Sequence, residues 1–142
     1  MASALDDLIG KTVRGVRMTD DQSFVAFDTD SGTVGYECDG DCCSETWIAD
    51  IINLRELIGS KVEDAKTLDL PEPKDDRSRQ EEDTAYGVQL RTISEYSALP
   101  ALVEFIYRNS SNGYYGGSLI REDHLPDGLI QIQPNAQGHW SA

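Results

Sequence analysis

Ser44-Glu45-Thr46-Trp47-Ile48-Ala49-Asp50-Ile51-Ile52 is the stretch on which the fold class turns. Ser44 is a residue type that caps helices, and Trp47, Ile48, Ile51 and Ile52 recur at the spacing of one helical face. The expectation is therefore an amphipathic helix over 44–52, entered through a loop carrying Cys38, Cys42 and Cys43. Residues 53–59 give a shorter helical signal closed by Gly59, since a glycine just past an apolar turn is the usual left-handed stop. The rest of the patterned chain reads as strand. The expected fold class is α+β, a mainly antiparallel sheet with one or two short helices packed on one face.

Residues 12–18 alternate apolar and polar side chains, Asp20-Asp21 supplies a turn into 23–27, and a second turn at 28–32 leads to 33–38. Three antiparallel strands in a meander follow from this. Asp28-x-Asp30 suggests a calcium loop, but Gly32 falls one position early and no bidentate Glu closes it, so the reading is a turn. Further strands are expected over 61–68, 86–93 and 101–108. Leu5 to Ile9 reads as a short helix ended by Gly10. Leu8-Ile9-Gly10-Lys11-Thr12-Val13 echoes Leu57-Ile58-Gly59-Ser60-Lys61-Val62, read as two uses of one local device because a single recurrence is too little for a repeat architecture.

The chain has 142 residues, with 26 acidic against 12 basic side chains and a formal charge of −14. One domain over 1–142 is expected, with 69–84 as a charged flexible insertion and 121–142 as a carboxyl-terminal tail. The negative field repels nucleic acid and anionic membrane and suits basic protein partners. The amino terminus lacks a basic region followed by an apolar core, and no apolar run approaches the roughly 18 residues of a membrane span, so a soluble cytosolic protein is expected.

Neither enzyme chemistry nor a metal is expected. Cys42 and Cys43 are adjacent, so their side chains diverge, and no Cys-x-x-Cys or paired-histidine spacing accompanies them. A cysteine nucleophile needs a base, and His124 and His139 lie far along the chain. No cofactor is implied. The stretch Asn109-Ser110-Ser111-Asn112-Gly113-Tyr114-Tyr115-Gly116-Gly117 reads as a hairpin tip, because Asn-Gly is the strongest short turn signal. Two readings of its tyrosines stay open. They are ordinary strand residues facing opposite sides, or Asn112, Gly113, Tyr114 and Tyr115 recognise a planar polar ligand, with Arg108 and Arg91 as anion anchors.

Asp41-Cys42-Cys43-Ser44-Glu45-Thr46-Trp47-Ile48-Ala49-Asp50-Ile51, residues 54–59 with the strand after them, and Ser111-Asn112-Gly113-Tyr114-Tyr115 together resemble a domain of small bacteriophage proteins. The resemblance spans most of 8–119 and is to the phage anti-Thoeris proteins that act as sponges. It implies counter-defence in the host cytoplasm, by sequestering a cyclic ADP-ribose type nucleotide signal without cleaving it. It also implies a homo-oligomer with ligand pockets between subunits. The chain departs from that pattern in the 69–84 segment, in its tail, and in having Ile106 where an arginine is expected, with Arg108 displaced. The competing expectation, from charge alone, is an acidic protein–protein inhibitor of a bacterial defence complex such as a CRISPR effector.

Overall fold

The computed structural model describes residues 4–40, 44–75, 77–80, 82–97, 99–111 and 117–142, with Glu82 described in its backbone only. A single 3-10 turn at Asp6–Leu8 precedes β1 (Thr12–Met18), β2 (Phe24–Thr29), β3 (Gly32–Gly40) and β4 (Ser44–Ile52). A one-turn helix, α1 (Leu54–Leu57), leads into β5 (Ser60–Asp69), β6 (Glu82–Ser94), β7 (Ala101–Ser111) and β8 (Gly117–Glu122). The tail adds β9 (Ile130–Gln131) and β10 (Trp140–Ser141). All ladders are antiparallel, and the order is β10-β4-β7-β6-β5-β1-β2-β3-β8, with β9 on β1. Among the described residues no helix is long and apolar enough to cross a membrane.

The α+β expectation is overturned: 58% of the chain is strand and 6% helix, so the protein is nearly all antiparallel sheet. The error lies at 44–52. The β4–β7 register slips between Ile48 and Asp50, leaving Ala49 as an extra residue in the ladder. A bulge of this kind re-phases a strand, so Ile48 and Ile51 both enter the core although three residues apart. A bulged strand thus reproduces the spacing of a helical face. The hairpin expected at 109–117 is also corrected. Both edges of β7 are taken, by β4 and β6, so β8 pairs with β3 instead.

The strand order is palindromic about the β1–β5 junction. A helical turn and a three-strand meander, β1-β2-β3, are matched by α1 and β5-β6-β7, and each half lends its fourth strand to the other: β4 lies on β7 and β8 on β3. The equivalence reaches single residues. Gly10 and Gly59 have φ of 87° and 88°, a backbone region that glycine enters without steric cost. The Gly10 amide donates to the Val62 carbonyl at 2.8 Å, and the Gly59 amide donates to the Val13 carbonyl at 2.6 Å. Register slips follow immediately in both halves, at Val13/Gly15 and Val62/Asp64. Leu5, Leu8, Leu54 and Leu57 beside the junction are fully buried. The short echo between 8–13 and 57–62 is the visible part of a structural repeat.

One core fills the sheet's inner side. Phe27 of β2 and Phe105 of β7 stand four steps apart in the strand order, yet their ring centroids are 5.3 Å apart. The sheet therefore curls until its inner face packs on itself. At one end the β3–β8 ladder, where Gly40 opposes Gly117, presses on Thr46 and Asn109 of the β4–β7 ladder. A Cβ on Gly117 would lie 2.6 Å from Thr46 Oγ1 and 3.0 Å from Asn109 Cβ. Thr46 Oγ1 is held there, donating to the Asp39 carbonyl at 3.1 Å and accepting from Asn109 Nδ2 at 2.8 Å. Gly117→Ala is expected to destabilise by about 1–3 kcal/mol through overpacking, read as a lower urea midpoint at unchanged slope.

Candidate functional site

The palindrome brings both halves' crossing connections to one place. Residues 41–43 join Gly40 to Ser44 and residues 112–116 join Ser111 to Gly117; Gly40 pairs with Gly117 and Ser44 with Ser111. The residues that flank the two connections therefore lie side by side, and each connection overlaps a motif that carries the phage resemblance. Asn112, Gly113, Tyr114 and Tyr115, like Cys42 and Cys43, lie outside the described residues. Beneath this crossing, Asn109 is 1% exposed, and its Oδ1 has no hydrogen-bond partner among the described residues.

A slot of about 580 Å³ opens next to it, lined by the ends of β5 and β6 together with Tyr107, Ser118 and Leu119. β5 pairs with β1 only at Ser60 and Lys61, so the far half of β5 is held by β6 alone and its other edge is left open beside the slot. Tyr86 and Tyr107, cross-strand neighbours, stack within it at 5.1 Å between centroids and 16° between planes. The Gly117 amide donates to the Tyr86 hydroxyl at 3.3 Å, which ties the aromatic pair to the end of the 112–116 connection. Burial, with smaller contributions from Tyr86 and Cys38, pushes the Tyr107 phenol up to about 12, so it stays neutral and able to donate. The sequence reading missed this pair, although Tyr86 and Tyr107 stand in two strands that it had placed.

The two candidate anion anchors are not brought together. Arg91 opposes Leu102 and is exposed, whereas Arg108 opposes Ala85 on the same ladder. The six residues from 102 to 108 separate them by about 20 Å at strand rise. Arg108 is 2% exposed. Its Nη2 meets Asp75 Oδ1 at 2.7 Å and Asp83 Oδ2 at 3.2 Å, the latter carboxylate also accepting from Ser110 Oγ at 3.0 Å and Ser78 Oγ at 2.9 Å.

Asp75 belongs to the acidic and basic segment between β5 and β6, which crosses the outer face of β4, β6 and β7. Arg77 forks onto Asp50 with contacts of 3.1 and 2.8 Å, and Arg79 stands 4.2 Å over the Trp47 ring. The Arg79 amide donates to Ser110 Oγ at 3.1 Å. These contacts make the segment a strap across the sheet. Between strap and sheet lies a second cavity of about 480 Å³, which Arg108 lines.

Cys38 is half-buried, and its thiol donates to the Gln22 carbonyl at 3.5 Å. Burial, with Asp21 and Glu37 adding negative charge, pushes it up to about 12, far from thiolate chemistry at neutral pH. His139 Nδ1 accepts from the Asn53 amide at 2.9 Å, fastening the tail to the turn before α1. Asp28 is engaged by Arg17 at 2.9 and 2.8 Å, and Asp30 accepts from the Thr12 amide at 3.0 Å. Among the described residues no group of three or more His, Cys, Asp or Glu converges to hold a metal ion.

Fold and site together define a small curled-sheet protein of duplicated plan, with an aromatic slot beside the crossing of its two halves. The chain belongs to the family described as Domain of unknown function (DUF7448), whose model matches residues 6–120, from the 3-10 turn through most of β8. No curated protein and no solved structure matches it.

The strap carries a pH signature. Hydrogen bonds from Arg108 and the Arg77 amide hold Asp75 down at about 2. Burial would raise Asp50, but hydrogen bonds from Arg77 and Ser141 and the charges of Arg77 and Arg108 outweigh it and leave it lowered. Both folded values lie below the unfolded value of about 3.9, so the stabilisation is present above that pH and fades as pH falls toward about 2. Amide NMR signals of Arg77 and Arg79 are expected to move over this window before that of Phe105 does. Asp75→Asn should remove much of that movement.

Proposed function

We propose that the protein captures a small nucleotide signal of the cyclic ADP-ribose type without cleaving it, as a phage counter-defence protein acting in the host cytoplasm. The observation that carries the reading is the stacked Tyr86–Tyr107 pair in a slot of about 580 Å³, fastened through Tyr86 to the end of the connection holding Asn112, Tyr114 and Tyr115. A slot of that volume suits a small-molecule ligand, and an aromatic wall suits a nucleobase face. The resemblance of the two crossing motifs to phage anti-Thoeris sponges supports the same reading. Among its described residues the slot's lining includes Asp69 and no basic side chain, so the ligand's phosphates call for cations from a second subunit. A homo-oligomer with pockets between subunits supplies them, and Tyr96, Leu99 and Leu102, exposed around the β6–β7 turn, offer apolar surface for such a contact.

The formal charge of −14 favours a second reading, an acidic inhibitor laid over the nucleic-acid groove of a defence complex. Calorimetry separates the two. Against cyclic ADP-ribose isomers and cyclic dinucleotides, one ligand is expected to bind with Kd below about 1 μM and to be recovered intact. Tyr86→Ala should weaken it by about tenfold or more, as loss of base–aromatic stacking does, while Arg91→Ala should leave it unchanged. No binding at ligand concentrations of about 100 μM overturns the capture reading. Salt-sensitive binding to a defence complex, unaffected by Tyr86→Ala, would establish the second in its place.

A further inference from the structure

The cavity beneath the strap shares Leu70 and Ala85 with the tyrosine slot but has its own chemistry. Its walls include Leu70, Pro71, Pro73, Ala85 and Ile106, and Arg108 enters it from the outer face of β7. Both ion pairs of that guanidinium run through Nη2, and Nη1 is buried with no hydrogen-bond partner among the described residues. A buried N–H without an acceptor carries a desolvation cost that an incoming oxygen would relieve.

Charge decides which oxygen. Asp50, Glu72 and Asp75 offset Lys74, Arg77 and Arg108 around the cavity, and Asp83 adds one more carboxylate against Arg108. A phosphate or carboxylate would meet no net positive field there. A neutral carbonyl needs only the donor and the apolar walls.

We infer that this cavity binds a small neutral molecule with an apolar body, whose carbonyl oxygen accepts a hydrogen bond from Arg108 Nη1. Nη1 is closed off from solvent, so the oxygen reaches it on a small outward displacement of the segment anchored through Asp75. That anchor is suited to yield, because the Asp75 side chain is 42% exposed while Asp83 keeps Arg108 in place from the buried side, at 4%. The inference does not depend on the function proposed above, and binding at the tyrosine slot neither supports nor weakens it.

The test is an amide NMR titration of the whole chain with benzamide, with its isostere benzoate, and with inorganic phosphate. Benzamide is expected to bind with a Kd in the millimolar range, about what a fragment of its size can achieve, and to shift the amides of Ala85, Ile106, Lys74, Asp75 and Arg77. Benzoate should bind several-fold more weakly, and phosphate should shift none of these amides. Ile106→Phe, which fills the cavity while leaving Arg108 itself in place, should weaken benzamide by about tenfold. Arg108→Lys keeps a charge for Asp83 but removes the second nitrogen, and should do the same wherever its amide spectrum shows the fold retained. Three outcomes each overturn the inference: no shifts at about 20 mM benzamide, benzoate binding as tightly as benzamide, or Ile106→Phe binding unchanged.

Discussion

Two reciprocal hydrogen bonds, Gly10 to Val62 and Gly59 to Val13, hold the centre of this molecule. They join the halves where β1 and β5 share only a short ladder, and they need both glycines at positive φ. From that junction the halves run outward as matched meanders, and each closes on the other's fourth strand. Exchanging β4 and β8 binds the halves over the full length of two ladders, more than the brief β1–β5 contact offers by itself. The curl that brings Phe27 against Phe105 follows, because a sheet with one apolar face must bury it on something.

The outer face follows a different rule. Arg108 is fully desolvated on it, and a buried charge persists only when paired and hydrogen-bonded. Asp83 supplies the pair from β6 and Asp75 supplies it from the strap, so the strap is part of the condition under which Arg108 can be buried at all. Its mixed charge has a local meaning: Arg77 answers Asp50, and Arg79 covers Trp47 while facing Glu45. A segment with no apolar periodicity is held by polar contacts instead.

Most strands were legible from alternation, and the meander at 12–38 follows the turn signals at 20–21 and 28–32. What misled was 44–52, where a bulge at Ala49 gave a strand the spacing of a helix. The repeat was hidden by unequal turns. Gly10 and Gly59 are 49 residues apart (59 − 10), whereas Gly40 and Ser111, the last residues of β3 and β7, are 71 apart (111 − 40), because the long β5–β6 ladder and the strap lengthen only the second half. No single period survives that change. Of the site, Arg108 was legible as a candidate but not its burial, since pairing with Asp75 and Asp83 is long-range. Tyr86 and Tyr107 were each legible as strand residues, while their stacking depends on a register that no local signal fixes.

Leu70 and Ala85 line both the tyrosine slot and the cavity under the strap. Ala85 and Tyr86 are consecutive, so one pleat of β6 separates the two spaces. A molecule that displaces this wall from either side changes the shape presented to the other. Such a coupling is reciprocal by thermodynamic necessity: whatever factor one occupant imposes on the second, the second imposes on the first. Two binding events on opposite faces of a single sheet layer would then be linked without any movement of the halves about their glycine junction.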